Sequence, residues 1–577
     1  MTAILGLNAY HGDAAAALVV DGQLVAAAEE ERFTRVSHAA GFPSLAAQWC
    51  LGEAGIRPRE LDHVATARDR RANLGARVRR RLRDRPRATY LRRRLADRVQ
   101  TADPRDALAE ALGVQPAELN ARFHAIEHHR AHAASAFYAS PFDEAAVLTV
   151  DGFGDYASTM LAVGRGNTLD VLDRVLFPHS LGVAYTAVTQ WLGFPDYGDE
   201  GKVMGLAPYG RPTLAAEIER LVRRSGGLFE LDLDYFTHHV RGLEMTWAAR
   251  TPTIGRVFSH ALEELLGPAR RPGEPIQSRH EDVASSLQHV LEDRYLHLAN
   301  TLWARTRIPR IALAGGVALN AVANARILAE TPFTDVFIQP AAGDDGTALG
   351  AALDVWHRVA AGGRGFVMRS ADWGPQYDDA ACAGALAAAG IAATRLDDDE
   401  LFPFVARRIA AGDVVGWFQG RMEFGPRALG QRSILADPRR EDVKDVLNAR
   451  IKRREPFRPF APSVLADRVG EWFEQDYPSP FMVLVYKTRT DKREVIPGVN
   501  HVDDTGRVQS VERDVLPRYA ALISAFEELT GVPILLNTSF NEDEPIVMTP
   551  AHAIETFQRT HMDVLVLGNH VARSDSS

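Results

Sequence analysis

Residues 3–8, Ala-Ile-Leu-Gly-Leu-Asn, form an apolar run with a polar end, the pattern of a strand buried on both faces. A loop with His11, Gly12 and Asp13 follows. Residues 15–20 and 23–28 then flank the pair Asp21-Gly22, and this predicts a β-hairpin. The same pattern returns about 145 residues later. Residues 146–150 read as a buried strand, Asp151-Gly152-Phe153-Gly154-Asp155 as a loop, and 158–163 and 169–175 as a hairpin around Gly164-Arg165-Gly166-Asn167. Helical periodicity predicts helices over 44–54 and 127–136, and a long amphipathic helix from 281 to about 306. A strand at 311–314 breaks at Gly315-Gly316-Val317-Ala318-Leu319-Asn320 into a helix at 321–329. A further strand at 335–339 leads to Gly343-Asp344-Asp345-Gly346 and a small-residue helix.

Two copies of strand, acid/glycine loop and hairpin predict an α/β fold duplicated about a cleft, as in actin-like and sugar-kinase-like ATP-binding proteins. The Gly-rich run 361–375 lacks periodicity and reads as a linker. The expected division is 1–360, a linker at 361–375, and a second domain at 376–577 that includes a strand at 414–418. A chain of 577 residues has room for two or more domains.

His128 and His132 lie four residues apart on one predicted helix and project from one face, so both imidazoles can meet one ion. Asp151, where strand passes into glycine loop, adds a carboxylate, and Asp344, in a second such loop, is the best fourth ligand. Mixed N and O donors with an open position suit Fe(II), Zn(II) or Mn(II) alike. Lys202, in Gly198-Asp199-Glu200-Gly201-Lys202, fits a loop entering a helix beside an anion. Gly315 and Gly316, between a strand and a helix, fit the close approach of a backbone to a nucleotide.

The rear of the chain sets its cations among Gly, Pro and aromatic residues, as in Gly420-Arg421-Met422-Glu423-Phe424-Gly425-Pro426-Arg427 and Lys452-Arg453-Arg454-Glu455-Pro456-Phe457-Arg458-Pro459. Proline fixes the backbone and the apolar neighbours favour burial, so these are not a solvated helix face. Arg421, Arg427, Lys452, Arg454, Arg458 and Arg507 together have the charge to neutralise a triphosphate and a second phosphorylated substrate.

Composition narrows the rest. A net charge of −9 argues against general nucleic-acid binding. The stretch 68–98 is nonetheless crowded with arginine, either as solvated helix faces or as a docking surface for an anionic substrate or partner. Cys50 and Cys382, far apart, make no disulfide framework. No apolar run approaches the roughly 20 residues of a membrane helix, and the chain opens directly into a strand, so a cytoplasmic protein without membrane contact is expected.

Taken in order, the motifs resemble the NodU/CmcH-type O-carbamoyltransferases. The resemblance rests on Gly6-Leu7-Asn8 with His11, Glu29-Glu30-Glu31-Arg32-Phe33-Thr34-Arg35, His128/His132 with Asp151-Gly152, Gly201 to Ala207, Glu423 to Gly430, Arg458-Pro459-Phe460-Ala461-Pro462-Ser463 and Asn537-Thr538-Ser539-Phe540-Asn541. It implies a duplicated actin-like (ASKHA, threonylcarbamoyltransferase-like) N-terminal domain and an α/β YrdC-like C-terminal domain. It further implies that His128, His132, Asp151 and Asp344 bind a divalent metal, iron by family, and that His11 acts on a small-molecule hydroxyl acceptor, a natural product or sugar. Lys202, Gly315, Gly316 and Asn320 would hold a carbamoyl adenylate. Arg421, Arg427, Lys452, Arg454, Arg458, Arg507, Asn537 and Ser539 would bind ATP, with its Mg, and carbamoyl phosphate. The chain departs from the family pattern at Ser37, before His38, and at Asp504 and Asp543. Competing readings are a threonylcarbamoyl-type tRNA ligase, a sugar kinase and a non-catalytic carbamoyl- or nucleotide-binding protein.

Overall fold

The computed structural model describes residues 1–84, 103–242, 245–246 and 252–574. Half of the arginine-rich stretch, 85–98, lies outside the described residues. The chain divides into two units, Met1–Met368 and Arg369–Ser577.

The first unit is built on two five-stranded mixed sheets of the same plan. In one, strand Ala3–Asn8 pairs antiparallel with Ala15–Val20, which pairs with Gln23–Glu29, and parallel with His63–Thr66, which pairs with Arg122–Ala125. In the other, Glu144–Gly154 pairs antiparallel with Ala157–Arg165, which pairs with Thr168–Leu176, and parallel with Arg310–Ala314, which pairs with Asp335–Ile338. Each sheet is thus a central strand with a hairpin on one side and two parallel strands on the other, as the repeated sequence pattern requires.

Two helices cross between the sheets. His128–Phe137 packs on the second sheet, Thr347–Arg358 on the first, and the two pack against each other. Their small residues permit this: a side chain at Gly350 would collide with the carbonyl of Ala131. Leu5, Leu7, Leu18, Val64 and Leu51 fill the outer core beneath the first sheet. The long helix Ser278–Thr306 begins three residues before its expected start and buries Val283, Leu287, Val290 and Leu298.

The second unit is organised by one eight-stranded sheet. Its order runs Ala393–Arg395, His570–Arg573, Val564–Leu567, Val415–Phe418, Arg432–Ala436, Ile534–Ser539, Ala461–Leu465, Gln509–Val511. Helices Asp398–Ala410 and Pro517–Thr530 pack together over it. Residues 369–375 belong to this unit by contact, with Gly374 N donating to Met422 O and Met422 N to Pro375 O. Among the described residues, no helix is long and apolar enough to cross a membrane.

Candidate functional site

Glu127 caps the helix that carries the histidine pair, its carboxylate accepting from His129 N at 3.2 Å and Arg130 N at 2.9 Å. Both His128 and His132 are fully buried, with Nε2 atoms 3.1 Å apart. The strand bearing Asp151 continues to Gly154, beyond its expected end. Its register shifts between Val150 and Gly154, and that bulge re-aims Asp151. Gly154 is required at its place, because a side chain there would occupy the His128 ring. Asp344 stands in the short turn Asp344–Gly346, after the strand that ends at Ile338.

The four side chains converge. Asp151 Oδ2 lies 3.3 Å from His128 Nε2 and 3.5 Å from His132 Nε2, and Asp344 Oδ1 repeats these distances. Ligand atoms on a tetrahedron with bonds of about 2.0–2.2 Å lie about 3.3–3.6 Å apart. The four His–Asp spacings match and the two Nε2 atoms lie slightly closer, at 3.1 Å, so the donor set fits one divalent cation without choosing among Fe(II), Zn(II) and Mn(II). Burial would lower His128 and raise both carboxylates, but attraction among them wins: His128 rises well above the usual imidazole range and both aspartates fall well below the usual carboxylate range. The anionic pair therefore stabilises positive charge at this point.

His11 joins the cluster from the first sheet. Its ring stacks on His128 with centroids 5.0 Å apart, and its Nδ1 is 3.6 Å from Asp344 Oδ2. Burial, with His128 beside it, pushes His11 down to about 3, so the imidazole is neutral at neutral pH.

The residues expected to hold an adenylate are committed within the first unit. Gly316 N donates to Asp151 Oδ1 at 3.1 Å and so orients a ligand of the cluster. Gly315 takes φ +91° where its Cβ would strike Val150. Asn320 caps the helix Ala321–Glu330 and exchanges amide hydrogen bonds with Gln288 at 3.0 and 2.9 Å, while Gln288 donates to Glu292. Lys202 Nζ is 2.7 Å from Asp199 and lies over the Phe194 ring. Gln288 and Glu292 were not singled out from the sequence; two polar positions four apart on the buried face of a long helix were the available signal.

In the second unit five of the six expected cations gather. Lys452 is buried, its Nζ donating to the Ser539 carbonyl at 2.6 Å and hydroxyl at 3.1 Å and to the Asn541 carbonyl at 2.8 Å. Arg454 donates to Asn448 Oδ1 at 2.8 Å and lies 4.7 Å over the Phe460 ring. Burial and then Arg458 push Arg427 down to about 10 and Arg454 to about 9; burial and the neighbouring arginines lower Lys452 and Arg507 strongly. Glu455 is 3.8 Å from Arg458, and Glu544, the other acid among them, is already paired with Arg559 at 2.6 Å. The guanidinium groups of Arg427 and Arg507 have no hydrogen-bond or ion-pair partner among the described residues.

Two expected residues stand apart from this group. Arg421 donates to the carbonyls of Trp373 and Gly374 at 3.1 and 3.2 Å. Asn537 spends its amide on Ala428 O, Ser463 Oγ and Gln509 Oε1, fastening neighbouring strands.

Family comparison decides the class. The carbamoyltransferase N-terminus model matches residues 3–353 and the carbamoyltransferase C-terminus model residues 406–574. The chain belongs to the NodU/CmcH-type carbamoyltransferases. It is 39% identical to the nodulation protein NolNO of Sinorhizobium fredii, over 98% of this chain and 79% of that one. It is 42% identical to the uncharacterized protein sll1178 of Synechocystis, over 99% and 96%, and 30% identical to nodulation protein U of Sinorhizobium fredii, over 93% of each. Among solved structures, full-length HypF in its phosphate- and nucleotide-bound form is 13% identical, covering 61% of this chain and 55% of that one at a TM-score of 0.30, too low to carry weight. The four-residue cluster and the cation group thus sit in two segments that each match a carbamoyltransferase family model.

Proposed function

We propose that this carbamoyltransferase is ATP-dependent and runs two half-reactions, with the first unit an actin-like transfer domain and the second a YrdC-like adenylating domain. In the second unit water attacks the phosphorus of carbamoyl phosphate, the bond from the carbamoyl oxygen to phosphorus breaks, and phosphate leaves carbamate behind. A carbamate oxygen attacks the α-phosphorus of Mg-bound ATP, the bond to the β-phosphate breaks, and pyrophosphate leaves carbamoyl adenylate behind. Arg427, Arg454, Arg458, Arg507 and Lys452 stabilise the charge that grows on both leaving groups. Lys452 is also the bridge that holds Ser539 against the site.

In the first unit an acceptor hydroxyl attacks the carbamoyl carbon, the bond from that carbon to the adenylate oxygen breaks, and AMP departs. His11, neutral and stacked on His128 beside the cluster, takes the hydroxyl proton. His128, His132, Asp151 and Asp344 are the residues that would hold a divalent cation, and such a cation would supply Lewis-acid chemistry there. Gly316 keeps Asp151 turned toward its partners. The acceptor is a small molecule with a free hydroxyl.

The observation that carries this reading is the group of mutually repelling cations in the second unit, two of them without a side-chain partner among the described residues. Such a group is costly unless an anion with several negative charges completes it. The test separates the half-reactions: His11→Asn slows transfer by about 10²- to 10⁴-fold while pyrophosphate release from ATP and carbamoyl phosphate persists. Equal loss of both would show that His11 is not the proton acceptor.

A further inference from the structure

The motif Glu29-Glu30-Glu31-Arg32-Phe33-Thr34-Arg35 has no part in the chemistry above, yet Glu29, Glu30 and Arg32 are buried and the side chains of Glu30, Glu31 and Arg32 are committed to neighbours. Glu30 accepts from Leu45 N at 3.2 Å and Ala46 N at 2.9 Å, capping the helix Ser44–Glu53 from a distance. Arg32 donates to Glu31 at 2.6 Å and to Glu29 at 3.4 Å. The other oxygen of Glu31 accepts from His38 N at 2.6 Å. Glu31 therefore braces the segment 36–41 at His38, and Glu30 braces the helix that follows it.

That segment backs the loop that carries His11. Tyr10 N donates to Gly41 O at 2.7 Å and Ala14 N to Ala39 O at 2.8 Å. Tyr10 and Asp13 flank the histidine with φ of +64° and +54°, and His38 itself has φ +56°. Left-handed backbone at a non-glycine residue is strained and persists only where surrounding contacts hold it. Below the loop, Asn8 Nδ2 reaches the carbonyls of Gly12 at 3.0 Å and Asp13 at 2.9 Å. Beside it, Asp13 Oδ1 meets His38 Nδ1 at 2.7 Å, while Tyr197 OH offers Asp13 Oδ2 a contact of 3.5 Å.

We propose that His38 is a positioning residue for transfer: through Asp13 it locks the strained loop that presents His11 to the histidine–aspartate cluster. The inference rests on the carbamoyl-transfer reading above. The bond is charge-assisted, because Asp13, overcoming burial, pushes His38 up to about 9. Gly198 is part of the same device, since a side chain there would meet His38 Nε2. Without the imidazole, Asp13 keeps only the long Tyr197 contact among these two, and the loop is free to relax. A displacement near 1 Å at a reacting group costs about 10²-fold in rate.

The test compares His38→Ala with His38→Asn, whose side-chain N–H takes the place of Nδ1 and still donates to Asp13. With glycerol as the hydroxyl probe, AMP release by H38A falls about 10- to 100-fold in kcat, with the KM for glycerol within about twofold of wild type. H38N recovers most of the rate. Pyrophosphate release and the binding of Mn(II) alone stay at wild-type levels in both variants. Wild-type transfer by H38A, equal impairment of H38A and H38N, or loss of Mn(II) binding in H38A would each overturn the proposal. A wild-type protein that releases no pyrophosphate from ATP and carbamoyl phosphate would instead take down the reading on which it rests.

Discussion

Arg507→Met is expected to make the second unit more stable and inactive at once. Arg507 is half-buried on the strand Thr505–Arg507, without a side-chain partner among the described residues, and burial and then Arg427, Arg454 and Arg458 lower its affinity for a proton. Like unit charges about 7 Å apart repel by about 2 kcal/mol at an effective dielectric constant of about 20. Repulsion of this order from neighbouring arginines, discounted for the partial exposure of Arg507, leaves about 1–3 kcal/mol to be regained when methionine keeps the apolar stem and removes the charge. For a domain of this size that is about 2–4 °C of melting temperature per kcal/mol. Calorimetry without ligand should therefore show the later-melting form in the variant. Adding ATP at about 100 times its Kd stabilises wild type by about 2.7 kcal/mol, and the variant should gain far less. Pyrophosphate release in the variant should fall by orders of magnitude. A variant that melts earlier than wild type and still binds ATP would refute the reasoning, because Arg507 would then be a structural residue.

Two further outcomes follow from the same geometry. His132→Ala removes one of four converging donors and should cost more than the 10- to 100-fold in metal affinity typical of losing an outer hydrogen bond to a ligand, read by metal content after dialysis. Burial and then Glu423 push Asp372 up to about 7, against an ordinary 3.8. A carboxyl raised on folding is neutral at no cost below the unfolded value, and its ionisation penalty grows until pH passes the folded value. The stability advantage of Asp372→Asn, measured by denaturant titration, should therefore widen from pH 4 to pH 7 and level off above it.

The parts legible in the sequence were those whose partners lie close in the chain. Hairpins around Asp21-Gly22 and Gly166-Asn167 and the histidines four apart declare themselves locally, and their repetition at a fixed interval gave the duplicated sheet plan. The cations among Gly, Pro and aromatic residues were recognisable as a half-buried group by type. Which of them meet was not, because that depends on strands far apart in sequence lying side by side. Arg421 has the same local setting as Arg427, yet only tertiary structure sends it to the carbonyls of Trp373 and Gly374. Asn537 likewise has the polarity of a binding residue, but Ser463 and Gln509, brought beside it by the sheet, take up its amide N–H groups. The Gln288–Asn320 pair likewise arises from packing between segments 32 residues apart, and the bulge that turns Asp151 is a register shift within a hairpin that residue types do not declare.

The most direct measurement supplies purified protein with MgATP alone, carbamoyl phosphate alone, and both, and follows pyrophosphate, AMP and ADP. Pyrophosphate should form only when both substrates are present, accompanied by carbamoyl adenylate in a rapid quench. ADP formation, or pyrophosphate release that ignores carbamoyl phosphate, would contradict the account.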